Sequence, residues 1–77
     1  IGWIYLEKDM PTDALFYLRE ASALDSSNPE IRYHQGVALA RLNRNPEAIR
    51  EFKTALQLSD DFNGASEART WLNKLQN

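Results

Sequence analysis

The residues of this chain that could carry out chemistry are few. His34 is the only histidine among 77 residues, and the sequence contains no cysteine. A catalytic base at His34 would have no nucleophile within local reach, so a partly exposed or hydrogen-bonded histidine is the simpler interpretation. The lack of cysteine also excludes disulfides, thiolate nucleophiles and zinc–thiolate sites. The sequence therefore predicts a protein that is not an enzyme.

Acidic residues and glycines form no ligand-binding motif either. Asp60-Asp61 is a turn and helix-start signal, because one acidic pair without further spaced ligands does not make a calcium loop. Gly2, Gly36 and Gly64 are scattered along the chain, whereas a phosphate-binding loop needs them clustered. We expect no metal and no cofactor.

Charge is spread unevenly over a chain whose net charge is only −2. Residues 1–30 are mostly acidic, whereas residues 31–58 hold five basic and two acidic side chains. This distribution suits head-to-tail stacking or an acidic ligand, although a solvated surface of mixed charge explains it more simply. RNA binding would rely on that middle segment, and the sequence pI of about 5.2 argues against it. The basic side chains of the segment are Arg32, Arg41, Arg44, Arg50 and Lys53.

The chain shows an ordinary composition for a soluble domain, with 43% hydrophobic and 26% charged residues. No apolar run approaches the length of a membrane span, so we expect none in this segment. The sequence begins with Ile1 and shows no signal peptide, which suggests a fragment of a longer protein.

A spacing of 34 residues organises the sequence. Four residues recur at this interval, as the pairs Gly2/Gly36, Ala14/Ala48, Ala21/Ala55 and Leu24/Leu58. Conservative pairs fill the spaces between them, namely Asp13/Glu47, Leu15/Ile49, Leu18/Phe52 and Arg19/Lys53. A period of this length is typical of stacked helix–turn–helix units.

Helix-start signals and apolar stripes place the helices within this period. We expect helices at about 1–8, 11–24, 29–43 and 46–58, with turns between them. Asn28-Pro29-Glu30 combines a capping side chain, a proline suited to the first turn and an acid at the positive end of the helix. The triplet returns as Asn45-Pro46-Glu47. The inner stripe of the helix at 11–24 is predicted to contain Leu15, Leu18, Ala21 and Leu24.

The last helix, at about 62–77, fits the repeat only with a shift. One extra residue in the connection would bury an apolar set, Ala65, Ala68, Leu72 and Leu75. Without it the polar set would be buried, Ser66, Arg69, Thr70 and Asn73. We expect the shifted register and a helix that caps the stack, because the final core face would otherwise meet water.

The repeated positions resemble the tetratricopeptide repeat (TPR) family. They are Gly2, Tyr5, Ala14, Leu18 and Ala21 in the first unit, and Gly36, Leu39, Ala48, Phe52 and Ala55 in the second. Arg32 and Gln35 depart from the Trp and Leu that the family prefers, and Asp60 stands where Pro is usual. The resemblance implies an all-α, antiparallel helix–turn–helix solenoid of about five helices. Its parts would be a truncated unit at 1–28, a complete unit at 29–62 and a capping helix at 63–77.

The resemblance also implies a site, because the first helices of successive TPR units line a groove that binds peptides or protein segments. By position, the groove would contain Trp3, Leu6, Glu7, Glu30, Tyr33, His34, Val37, Ala40 and Arg41. The capping helix could add Glu67, Thr70 and Lys74, whereas Trp71 is expected to pack on the core. Tyr33 and Val37 replace the Lys and Asn of the carboxylate clamp in chaperone-binding TPRs, which argues against a chaperone-tail adaptor.

The sequence leaves several alternatives open. The apolar residues of the groove could bind a protein or peptide partner, or they could be a stacking surface through which the chain self-associates. The segment could also cap a larger envelope or enzyme assembly and have no ligand of its own. A narrower resemblance, to bacterial TPR lipoproteins associated with exopolysaccharide production and PEP-CTERM/exosortase sorting, would imply the cell envelope or periplasm. Without it, the cytoplasm is expected.

Overall fold

The computed structural model describes residues 11–76, which form an all-helical, antiparallel arrangement. The helices are α1 (Pro11–Leu24), α2 (Pro29–Arg41), α3 (Asn45–Leu58) and α4 (Ala65–Gln76). The predicted all-α fold is confirmed, with four helices in the described part of the chain. The predicted fifth helix, at 1–8, lies outside the described residues, as do Gly2 and Tyr5. The last helix begins at Ala65 rather than at about 62, because a turn occupies residues 62–65.

The two similar Asn-Pro-Glu triplets begin their helices in different ways. The Asn28 side chain accepts hydrogen bonds from the backbone N–H groups of Glu30 at 3.0 Å and Ile31 at 3.4 Å. Asn45 lies inside α3, and the preceding Arg44 is the N-cap without a side-chain capping bond. Identical letters therefore give a capped start for α2 and an uncapped one for α3.

A left-handed residue ends α2 and allows the tight turn into α3. Asn43 has φ 62°, one of the conformations that asparagine tolerates better than most residues. Its N–H donates to the Ala40 carbonyl at 3.0 Å, and the Arg44 N–H donates to the Leu39 carbonyl at 2.9 Å. This pair of bonds is the Schellman arrangement, which satisfies carbonyls left free at a helix end.

Each helix packs chiefly on its neighbours in sequence, so α2 contacts α1 and α3, and α3 also contacts α4. Phe52 of α3 is fully buried at the centre. A Cβ placed at Gly36 of α2 would lie 2.6 Å from the Phe52 ring, so only glycine lets the two helices approach this closely. The rest of the core cluster is made of small and aliphatic side chains, Ala14, Leu15, Leu18, Val37, Ala38, Leu39, Ala48 and Ala68.

The predicted stripe of α1 is only partly correct. Leu15 and Leu18 are buried and Ala21 is half-buried, but Leu24 is 91% exposed. Ser22 is buried instead. At about 100° per residue, Leu24 lies roughly 130° around the helix from the centre of the buried stripe. The equivalent residue of α3, Leu58, is 41% exposed for the same geometric reason.

The predicted shift in the register of α4 is confirmed. Ala65 and Ala68 are buried, and Leu72 and Leu75 pack against the core. The alternative set is exposed, Ser66, Arg69, Thr70 and Asn73. The turn before α4 contains Gly64 with φ 114°, a conformation that favours glycine.

Candidate functional site

A cleft of about 300 Å³ lies between α2 and α4. Tyr33 is its contribution from α2, and one face of α4 supplies the rest. The residues from α4 are Ser66, Glu67, Thr70, Trp71 and Lys74. Their spacing of three and four residues puts them on one side of the helix, so α4 presents a continuous wall opposite Tyr33.

Aromatic packing beneath the cleft holds both walls in place. Trp71 stacks on Phe52 with ring centroids 5.8 Å apart and an angle of 13° between the rings. Tyr33 contacts the same Phe52 ring at 5.9 Å and Phe62 at 6.2 Å. Aromatic pairs at these separations contribute beyond the area that they bury. The cleft is therefore built on rigid rings.

Gly64 brings the turn before α4 against the side of Tyr33. A Cβ at residue 64 would lie 2.9 Å from Cδ2 of Tyr33. A larger residue here would push the turn away from Tyr33, so this glycine also sets the position of the α4 wall.

Charged groups surround the two exposed rings of the cleft. The ammonium nitrogen of Lys74 lies 5.6 Å from the centroid of Trp71, within the range of a cation–π interaction. Burial raises the pKa of Tyr33, the Glu67 carboxylate raises it further, and Arg41 opposes the shift. The Tyr33 hydroxyl is therefore neutral at physiological pH and can donate or accept a hydrogen bond.

His34 lies next to Tyr33 in sequence but borders a different cavity. This larger cavity, of about 770 Å³ among the described residues, is lined by α1, α2 and Asn63. Burial lowers the pKa of His34, and the nearby Glu30 carboxylate opposes this shift. The histidine is therefore mostly neutral at physiological pH.

The structure divides the predicted groove residues into separate surroundings. Tyr33 lines the cleft, His34 borders the larger cavity, and Val37 is buried in the core. Ala40 is half-buried and Arg41 is exposed. Trp3, Leu6 and Glu7 lie outside the described residues. Consecutive helical residues point about 100° apart, so Tyr33 and His34 face different neighbours.

Sequence reasoning named part of the α4 wall and missed the rest. Glu67, Thr70 and Lys74 do face Tyr33 across the cleft. Ser66 was not foreseen there, and Trp71 was expected only to pack on the core. Trp71 packs as predicted and also lines the cleft. Its place between Glu67 and Lys74 on one helical face was the signal that pointed to this second role.

The polar groups of the cleft can form hydrogen bonds and ion pairs with a ligand. Among residues 11–76 no group of three or more histidine, cysteine or acidic side chains is placed to hold a metal ion. None of α1 to α4 combines the length and apolar character needed to cross a membrane.

Comparison of the chain with models of known protein families, with curated proteins and with solved structures found no match.

Proposed function

We propose that this chain is a non-catalytic protein-interaction module that binds an extended peptide segment through the cleft between α2 and α4. The observation that carries the proposal is the cleft itself, with aromatic rings, hydroxyls and both signs of charge converging on about 300 Å³. Aromatic anchors are common among the residues that dominate protein interfaces.

The chemistry of the cleft favours one peptide side chain with polar groups on either side of it. The rings of Tyr33 and Trp71 offer apolar contact, and Thr70 adds a hydroxyl. Glu67 and Lys74 lie two helical turns apart and provide opposite charges for the flanking residues of the peptide. Because Phe52 fixes both rings, little ordering of the protein is needed on binding, which preserves affinity.

The TPR interpretation is part of the same proposal. It is supported by the burial of residues 34 apart, such as Ala14 with Ala48 and Leu18 with Phe52. The close approach of Gly36 to Phe52 supports it as well. On this interpretation α4 is the capping helix of a repeat array.

A second candidate function is that of a structural cap without a ligand of its own. The observation that favours it is the polar outer face of α4, where Arg69 and Asn73 are exposed. Such a face ends a helical stack in water. The two functions are compatible, and a binding experiment separates them.

The experiment selects binders to the 77-residue chain from a displayed library of random peptides and measures their affinity by calorimetry. A Thr70→Trp variant fills the cleft, and we expect it to abolish binding of the selected peptides. Gln76→Trp adds the same side chain outside the cleft and is the matched control, expected to bind normally. Failure to select any peptide, or equal binding by both variants, would reject the proposal.

A further inference from the structure

We propose that Asn63 is a site of spontaneous deamidation, in which the backbone of Gly64 attacks its side chain. Asn63 is exposed in the turn before α4, which is closed by a hydrogen bond from the Ala65 N–H to the Phe62 carbonyl at 3.0 Å. The N–H of Gly64 donates to no acceptor within the described residues. Gly64 also has no side chain to hinder the approach of its nitrogen.

The reaction needs only base and water. The deprotonated nitrogen of Gly64 bonds to Cγ of Asn63, the bond from Cγ to Nδ2 breaks, and ammonia leaves. The product is a five-membered succinimide ring. Water then opens the ring at either carbonyl and gives aspartate or isoaspartate at residue 63. No oxidant or reductant takes part.

The other asparagines in the described part of the chain lack this combination. Asn28 and Asn45 precede prolines, whose nitrogens carry no hydrogen to lose. The residue after Asn43 is Arg44, whose N–H is held by the Leu39 carbonyl at 2.9 Å. Asn73 lies inside α4, where the helix fixes the backbone around it. Asn63 is therefore the residue where an exposed amide meets an accessible backbone nitrogen.

The isoaspartate product would disturb the cleft, because it adds a methylene to the backbone between residues 63 and 64. Gly64 lies against the Tyr33 ring with too little room for even a Cβ. A longer backbone at this point must therefore shift Gly64 and the start of α4 relative to Tyr33. Ageing of the chain would loosen the α4 wall without any change at the cleft residues themselves.

The test incubates the 77-residue chain at mildly alkaline pH and follows each asparagine by peptide mapping with mass spectrometry. We expect progressive loss of the Asn63 amide, as a mixture of aspartate and isoaspartate, while the amides of Asn28, Asn43, Asn45 and Asn73 are retained. An Asn63→Gln variant is the matched control and should keep its amide, since its longer side chain closes a ring far less readily. Retention of the Asn63 amide, faster loss at Asn43, or aspartate without isoaspartate would overturn the proposal.

A second measurement tests the structural consequence. An Asn63→Asp variant has the new charge on a backbone of normal length and should melt close to the unmodified chain. The purified isoaspartate form should melt at a lower temperature than both. Equal melting of the isoaspartate form and the Asn63→Asp variant would refute the predicted shift of α4.

Discussion

The two sides of α2 are packed in contrasting ways. Towards α4, Tyr33 and Trp71 rest on the Phe52 ring, and the space left between them is about 300 Å³. Towards α1, aliphatic residues such as Leu18 and Ile31 border a cavity of about 770 Å³ among the described residues. Leu18 and Phe52 occupy equivalent positions of the repeat, 34 residues apart. Aromatic packing therefore gives the α4 side a fixed shape that the aliphatic side does not share.

The comparison is broken most severely by removing the two equivalent core side chains. Phe52→Ala should lower the free energy of unfolding by about 3–5 kcal/mol, because Phe52 is fully buried and supports both Tyr33 and Trp71. Leu18→Ala should cost less, at about 2–4 kcal/mol. Urea denaturation of both variants measures the difference. Equal losses would show that the aromatic side holds no special share of the stability.

The contact between Gly36 and Phe52 gives the next largest effect. Gly36→Ala places a Cβ within 2.6–2.9 Å of the ring, so we expect a net loss of about 1–3 kcal/mol despite the higher helix propensity of alanine. A bulkier residue should lower the melting temperature further. Combining Gly36→Ala with Phe52→Leu should recover part of the loss. A Gly36→Ala chain that melts like the original would contradict the close-approach argument.

The start of α2 offers a smaller effect that reaches both of its sides. Asn28→Ala removes the side-chain oxygen that caps two backbone N–H groups and should cost about 1 kcal/mol. Asn45→Ala is the matched control in the similar triplet, and it should change stability by less than about 0.5 kcal/mol because Asn45 makes no cap. Thermal denaturation distinguishes the two. A larger effect at Asn45 would reverse the assignment of the caps.

The smallest expected effect is a pH dependence on the α1 side. Burial lowers the pKa of His34 below its ordinary value of 6.5, with the Glu30 carboxylate opposing the shift. The folded chain therefore binds a proton less readily than the unfolded chain, and the contribution of His34 to stability falls as the pH drops through 6.5 and below. Glu20 and Glu30 border the same cavity and moderate this fall. His34→Gln should show a weaker loss between pH 7 and pH 5 in parallel urea titrations, and an identical loss would exclude His34 as its source.

Local patterns in the sequence were sufficient to predict the helices and the register of the cap. The period of 34 residues identified Ala14, Ala48 and Phe52 as buried, because small and large apolar residues alternate at helical spacing there. The shifted register of α4 followed from the requirement that Ala65 and Ala68, rather than polar residues, face the core.

Features that depend on three-dimensional neighbours were harder to predict. Leu24 looked like a core residue because it recurs as Leu58, yet both recur on the same exposed face. Tyr33 and His34 were assigned to one groove, although each contacts a different side of α2. The cleft itself depends on where the turn at Gly64 places α4. No local pattern of residues encodes that position.

The packing of each helix mainly on its neighbours in sequence has a kinetic consequence. Most contacts join segments separated by only one short turn, so little chain entropy is lost before they form. Domains with such low contact order fold within microseconds to milliseconds. Because α4 has a neighbour on only one side, it can detach and re-form while α1, α2 and α3 stay together. The cleft would then open on a faster timescale than the whole domain unfolds.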